Sequence, residues 1–253
     1  MSDRPVALIT GAARRIGRAV AADLAGAGWA VGVHYNRSRT DADTFTAEIE
    51  EAGGRAVALE ADLTDETAVS TLVERTEAAL GPVRCLVNNA SVFENDDALT
   101  ATRTSWDLHM EVNLRAPFVL SQSLARRLPN GDGAVINILD QRVWNLTPYF
   151  TSYTVSKAAL WTLTRTLAMT LAPRIRVNAI GPGPTLSSAR QSDEQFLQQW
   201  SAVPLARPVD PAEICAAVRF ILDARSMTGQ MIALDGGQHL GWSSKTADLI
   251  PDE

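Results

Sequence analysis

Val6-Ala-Leu-Ile-Thr10-Gly11-Ala-Ala-Arg14-Arg15-Ile16-Gly17 follows a short polar start, Met1-Ser-Asp-Arg-Pro. Val6–Thr10 is a β-prone run. A helical pattern continues from the glycines through Ala27, Gly28 ends it, and Ala30–Tyr35 is a second β-prone run. Strand, Gly-rich turn, helix, strand is a βαβ unit. Glycine lets a backbone approach a pyrophosphate, and the helix N-terminus offers it unpaired N–H donors. The usual middle glycine is missing and Arg15 occupies that region, so the turn by itself also reads as an ordinary tight turn.

The second strand exits through His34-Tyr-Asn36-Arg37-Ser38. An acid here would bind the ribose 2′-hydroxyl of NAD. None is present. Arg37, Ser38 and Arg14 are instead candidates for a 2′-phosphate, and the alternative is a solvated charged turn.

The alternation continues outward. Asp41–Ala52 reads as a helix stopped by Gly53-Gly54, and Arg55–Glu60 as a strand. Asp62-Leu63-Thr-Asp65 is a turn with helix-capping residues before the helix Glu66–Leu80; Asp62 is one candidate cap. Val83–Val87 is a strand running into Asn88-Asn89-Ala90-Ser91, and a loop with Phe93 follows. Thr104–Ala116 and Phe118–Arg127 read as two helices. The strand Ala134–Leu139 ends in Asp140. Tyr153 opens a helix with Leu160, Leu163, Leu167 and Leu171 at helical spacing, ended by Pro173. Ile175–Ile180 is a strand leaving through Gly181-Pro182-Gly183-Pro184. Residues 185–203 read as a lid with a short helix. Pro211–Leu222 is helical, with proline in the first turn, and Met231–Leu234 is the last strand. Strands alternating with helices predict a parallel sheet covered on both faces, a Rossmann-type α/β fold in one domain over residues 1–253.

The 253 residues are 46% hydrophobic, enough for a large core, and the formal net charge of −6 argues against nucleic acid or an acidic membrane as partner. Two cysteines, Cys85 and Cys215, lie far apart in apolar segments and read as buried free thiols of a reducing compartment. The three histidines show no ligand spacing, so no metal is expected. The polar start does not read as a signal peptide and no segment reads as a membrane-spanning helix, so a cytoplasmic location is expected.

Tyr153 and Lys157 sit four apart and so share a helix face. An ammonium beside a phenol favours its ionised form, which would bring the pair toward acid–base work near neutral pH. The alternative is a surface tyrosine beside a solvated lysine.

Taken in order, Thr10-Gly11 to Gly17, Asp62, Asn88-Asn89-Ala90, Asn113, Tyr153-x-x-x-Lys157 and Pro182-Gly183 resemble the short-chain dehydrogenase/reductase family over nearly the whole chain. The resemblance implies a seven-stranded doubly wound sheet, an NAD(P) cofactor, a small-molecule substrate and an oligomer, commonly a homotetramer. It implies that Tyr153 exchanges the proton, Lys157 binds the nicotinamide ribose and lowers the tyrosine pKa, and Asn113 holds a water in the proton path. Gly11, Arg14, Arg15, Ile16, Gly17, Asn36, Arg37, Ser38, Asp62, Leu63, Asn89, Ala90, Ser91, Pro182 and Gly183 would line the cofactor.

One departure carries information. Most members place a serine thirteen residues before the tyrosine; here Asp140 stands there. An ionised carboxylate cannot donate to a carbonyl oxygen. Thr10-Gly-Ala-Ala-Arg-Arg15-Ile-Gly17, His34-Tyr-Asn-Arg-Ser38, Asn89-Ala-Ser91-Val-Phe93 and the Asp140/Tyr153 pair are similar to the pteridine reductases. By that resemblance Phe93 would sandwich a pterin against the nicotinamide, Arg15 would bridge cofactor phosphate and substrate, and Ser91, Asp140 and Tyr153 would touch the substrate. The leading expectation is an NADPH-dependent reductase of a pterin or related C=N heterocycle. A carbonyl reductase or alcohol dehydrogenase, and an NADP-binding regulatory protein, are the alternatives.

Overall fold

The computed structural model describes residues 4–128, 131–187 and 191–241. Seven strands form one sheet: β1 Val6–Ile9, β2 Ala30–Tyr35, β3 Arg55–Glu60, β4 Val83–Asn88, β5 Gly133–Ile138, β6 Ile175–Pro182 and β7 Met231–Leu234. Their order is β3-β2-β1-β4-β5-β6-β7, and every neighbouring pair is parallel. β1, β2 and β5 are buried at every position, as a sheet covered on both faces requires.

The helices are α1 Arg15–Gly26, α2 Arg39–Glu51, α3 Glu66–Leu80, α4 Arg103–Met110, α5 Ala116–Arg127, α6 Thr151–Leu171, α7 Asp193–Ser201 and α8 Pro211–Asp223. Strand side chains alternate between two cores. Ala7 and Ile9 of β1 pack with Leu24 of α1, Phe45 of α2 and Ile214 and Val218 of α8. Val6 and Leu8 pack with Leu72 of α3, Leu120 and Leu124 of α5 and Leu167 of α6. Each fully buried aliphatic side chain contributes about 1.5–3 kcal/mol, so both layers are held by many modest terms.

Two expectations change. Asp65, not Asp62, caps α3, its side chain accepting from Thr67 N at 2.9 Å and Ala68 N at 3.3 Å. The cap must sit one residue before the first helical residue; Asp62 instead closes its own turn through Thr64 N at 2.9 Å. The two helices expected around Ala116–Phe118 form one continuous run, because a π turn, Glu111–Arg115, joins α4 to α5. There Ala116 N–H bonds Glu111 O, a wide turn just ahead of Pro117, whose ring would break a regular ladder. The α7 helix lies within the expected lid, of which residues 188–190 fall outside the described residues. No helix among the described residues is long and apolar enough to cross a membrane.

The strand order reverses between β1 and β4, and ligands of open α/β sheets bind in the crevice at that point. Two features shape it. Gly11 has φ +63°, and a Cβ on Gly17 would fall against the Gly11 carbonyl oxygen and 2.5 Å from Asn89 Nδ2. His34, 2% exposed, accepts from Gly11 N at 3.0 Å through Nδ1, so its Nε2–H donates to Ala61 O at 3.1 Å. Burial is the main force pulling the His34 pKa from 6.5 down to about 4.

Two outcomes follow. Gly17→Ala should cost about 1–3 kcal/mol through forced backbone movement, lowering the melting temperature by about 3–10 °C in calorimetry. For His34, the unfolded chain takes up its proton near pH 6.5 and the folded chain only near 4. The unfolded state therefore binds more protons in that window, and stability falls as pH drops through it, by up to about 3 kcal/mol, while it is flat above. His34→Asn keeps an acceptor for Gly11 but cannot titrate. Urea unfolding from pH 7 to 4 should show a shallower loss in the variant, and equal losses would rule His34 out as the source.

Candidate active site

In a parallel sheet read in one direction, the strand exits share one edge. The turn 10–17 follows β1, Asn36–Ser38 follow β2, Asp62 and Leu63 follow β3, Asn89–Ser91 follow β4, Asp140 follows β5, and Pro182–Gly183 close β6. The fold thus gathers the predicted residues from six separate exits.

The nucleotide half is stitched across the switch point. Asn89 Nδ2 donates to Thr10 O at 2.8 Å and to Gly11 O at 3.2 Å. Thr10 Oγ1 accepts from Asn89 N at 2.9 Å and Ala90 N at 3.0 Å. No side chain caps α1, so the N–H groups of Arg15, Ile16 and Gly17 in its first turn are left for an anion. This cradle fits a dinucleotide pyrophosphate. Gly183 N donates to Leu234 O at 2.8 Å, which pins the β6 exit to β7. Leu63 is a core residue. Hydrogen bonds from Thr64 above all, with smaller help from Asn36 and Arg37, hold the Asp62 carboxyl below the usual range. Arg37 is exposed, and Ser38 occupies the N-cap position of α2 without a side-chain capping bond.

Two arginines of the turn have partners within the chain. Arg14 is engaged by Asp41 at 2.5 Å in an exposed ion pair, a contact of small net worth that draws it toward α2. Arg15, at φ +57°, reaches the start of the lid, donating to Leu186 O at 2.9 Å and Ser187 O at 2.6 Å.

The reacting half centres on Tyr153, 5% exposed, whose hydroxyl donates to Asp140 Oδ2 at 2.8 Å. Asp140 Oδ1 accepts from Arg142 N at 2.8 Å, capping the short turn Gln141–Val143. Arg142 Nη1 stands 3.4 Å from Asp140 Oδ2. Lys157 donates to Ile138 O at 2.8 Å and lies 5.8 Å from the Tyr153 ring centre. Burial, reinforced by Asp140, pushes the Tyr153 pKa well above its ordinary value. The expected lowering by Lys157 is reversed, because the phenol's partner is an anion and the ammonium is turned to a backbone carbonyl. Burial brings Lys157 down to about 8, with Asp140 opposing. Asn113 sits in the π turn, its Oδ1 accepting from Val92 N at 2.8 Å and Ser91 Oγ at 3.1 Å. Its Nδ2 donates to Val92 O at 3.0 Å and Ser156 Oγ at 3.1 Å. The amide therefore holds the loop after β4 against α6.

Phe93 stacks on Phe150, with ring centres 4.3 Å apart and planes 11° from parallel, and meets Tyr153 edge-on at 4.6 Å. The Arg142 guanidinium lies 5.3 Å from the Phe93 ring centre and 5.1 Å from that of Phe150. Neither Phe150 nor Arg142 was singled out in the sequence. Arg142 is two residues from Asp140, a usable hint, but nothing local marks Phe150, which adopts φ +60° just before α6. Among the described residues no His, Cys, Asp or Glu cluster is placed to hold a metal.

A buried phenol bonded to a carboxylate and an anion cradle at the switch point together suit redox chemistry with a bound nucleotide. Comparisons with known proteins show the family. The family model described as enoyl-(acyl carrier protein) reductase matches residues 11–239. A 3-oxoacyl-[acyl-carrier-protein] reductase of Synechocystis sp. is 34% identical over 92% of this chain and 96% of its own length. The crystal structure of FolM alternative dihydrofolate reductase 1 from Brucella suis, in complex with NADP, is 49% identical with a TM-score of 0.92, covering 96% of this chain and 98% of that one. A blue fluorescent protein from a metagenomic library, in complex with NADPH, is 34% identical with a TM-score of 0.87, covering 92% and 97%. The chain therefore belongs to the short-chain dehydrogenase/reductase family and is an oxidoreductase of that family.

Proposed function

We propose that the protein uses NADPH to reduce a dihydropterin or a related C=N heterocycle. The observation that carries this reading is the 2.8 Å hydrogen bond from Tyr153 to Asp140. A carbonyl-reducing site needs a second donor at that place, and a carboxylate there accepts instead. Phe93, partly exposed and edge-on to Tyr153 at 4.6 Å, would offer a face to a flat heteroaromatic ring once it parts from Phe150, on which it now stacks. The 49% identity to the Brucella protein supports the same reading. Reduction of a ketoacyl substrate is the second reading, favoured by the name of the 34% identical Synechocystis relative.

NADPH, held by the α1 cradle and Lys157, would supply a hydride for a ring carbon of the substrate. The adjoining ring nitrogen gains a proton from the Tyr153–Asp140 pair, and solvent replaces it, so one hydride and one proton reduce one C=N bond. The Tyr153 phenol keeps its proton at neutral pH and so holds the one that reduction consumes, while its raised pKa makes it a weaker acid than an ordinary tyrosine. Lys157, fixed on Ile138 O, would orient the nicotinamide ribose, Phe93 one face of the heterocycle, and Ser91 and Arg15 its edges. A homotetramer in the cytoplasm is part of the same proposal.

NADPH should bind more tightly than NADH by roughly ten- to hundredfold, the worth of a charge-assisted contact of about 1.5–3 kcal/mol to the 2′-phosphate. Arg37→Ala should remove most of that margin in fluorescence titrations and leave NADH nearly unchanged; equal affinities in the parent would overturn the cofactor assignment. Tyr153→Phe should lower turnover by about 10²–10⁴-fold with cofactor affinity kept. Asp140→Ser should lower dihydropterin reduction. A gain in aromatic-ketone reduction by Asp140→Ser, with no pterin activity in either protein, would leave a carbonyl reductase.

A further inference from the structure

The loop carrying Phe93 is fastened to the helix carrying Tyr153 by a buried polar network with Asp96 at its centre. Asp96 is 4% exposed, and Ser152 and His109 are fully buried. Asp96 Oδ1 accepts from Ser152 N at 3.0 Å. Asp96 Oδ2 accepts from Ser152 Oγ in a short hydrogen bond, and from Ser105 Oγ at 3.1 Å. The Asp96 carbonyl accepts from Thr151 N at 3.2 Å. These bonds satisfy the Thr151 and Ser152 N–H groups in the first turn of α6, whose own N-cap residue, Phe150, is left-handed and makes no side-chain capping bond. The cap comes from a residue 56 positions away.

His109 sets the direction of the Ser152 proton. Its Nε2 accepts from Glu94 N at 3.1 Å, so Nδ1 carries the hydrogen and faces Ser105 O and Ser152 Oγ, both at 2.8 Å. Ser152 Oγ must then donate onward, and only Asp96 receives it. A serine that gives its proton to a buried carboxylate is no nucleophile, so this Asp–Ser–His set is not a hydrolytic triad. Burial pushes the Asp96 carboxyl up, but the hydrogen bonds from Ser152 and Ser105 outweigh it and leave it below its ordinary value.

We propose that Asp96 is a positioning residue for the reduction: it holds the Phe93 loop and the start of α6 in one frame, and so sets where a ring seated by Phe93 meets Tyr153. Phe93 is three residues before Asp96 and Tyr153 is one after Ser152, and the two rings meet at 4.6 Å. The edge of His109 also rests on the Tyr153 ring, 6.1 Å between centres. The proposal rests on the reductase reading of Tyr153 but not on which heterocycle or ketone is reduced.

An amide at position 96 cannot serve both oxygens' roles. With its oxygen toward Ser152 N, its NH2 faces the Ser152 hydroxyl, whose hydrogen is left with no acceptor; flipped, two N–H groups collide. Removing that hydroxyl relieves the conflict. The test compares the parent, Asp96→Asn, and Asp96→Asn with Ser152→Ala, assayed well below their melting temperatures on whichever substrate, dihydropterin or ketone, the parent reduces. Asp96→Asn should lower kcat by about 10- to 100-fold, as misplacement near 1 Å does, with the Kd for NADPH within about twofold. The double variant should regain at least about fivefold over Asp96→Asn. Amide hydrogen exchange should speed up together in 91–97 and 150–153 for Asp96→Asn, and slow again in the double variant. Turnover within about twofold of the parent with only a lower melting temperature, or no recovery in the double variant, would overturn the proposal. If the parent reduces neither substrate, the reductase reading fails, and the exchange data decide the clasp: unchanged protection of 91–97 overturns it.

Discussion

Asn89 and Thr10 tie the exits of β4 and β1 together, and the crevice depends on that tie. The bonds from Asn89 Nδ2 to Thr10 O and Gly11 O, returned by Thr10 Oγ1 to Asn89 N and Ala90 N, close two neighbouring turns with buried polar groups that would otherwise go unpaired. They hold the uncapped start of α1 open toward the switch point. His34 adds a third anchor from β2 through the Gly11 N–H. The anion cradle is thus built mostly from backbone, and side chains serve it by fixing the backbone in place.

At the other end of the crevice one substitution alters the acid–base character of the site. Asp140 gives the Tyr153 hydroxyl an acceptor rather than a fellow donor. A buried phenol beside a carboxylate keeps its proton, whereas one beside a cation would lose it more readily. Lys157 does not reverse this, because its ammonium is spent on Ile138 O. The same carboxylate holds Arg142, whose guanidinium lies over the two phenylalanine rings, so the acid–base pair and the Phe93–Phe150 stack are linked through Asp140.

The loop after β4 has little regular structure, yet three buried residues of neighbouring elements hold it. Asn113 grips Ser91 and Val92, His109 takes the Glu94 N–H, and the start of α6 takes Asp96. Asn113 lies in the π turn, a kind of irregularity that recurs at functional sites. A loop held this way can present Phe93 on a rigid frame while leaving that ring partly exposed, as substrate binding demands.

Periodicity and punctuation in the sequence were enough for the βαβ alternation, the single-domain parallel sheet and the Gly-rich turn. β2, β3, α3 and β7 fall at the residues read from the chain, because apolar spacing and glycine or proline stops are local signals. The shared helix face of Tyr153 and Lys157 and the missing acid after β2 were equally legible, since each depends on residue type at a short spacing. Contacts across long separations were not: the cap that Asp96 gives α6, the hold of His34 on Gly11, the Arg15 bonds to the lid, and the Phe93–Phe150 stack under Arg142. Nor was the direction of the Tyr153 shift, which depends on which charge the folded chain turns toward the hydroxyl. Local spacing determines which elements form and which side chains share a face. Only tertiary packing decides which buried donor meets which acceptor, because a desolvated polar group takes the partner that the fold brings within about 3 Å.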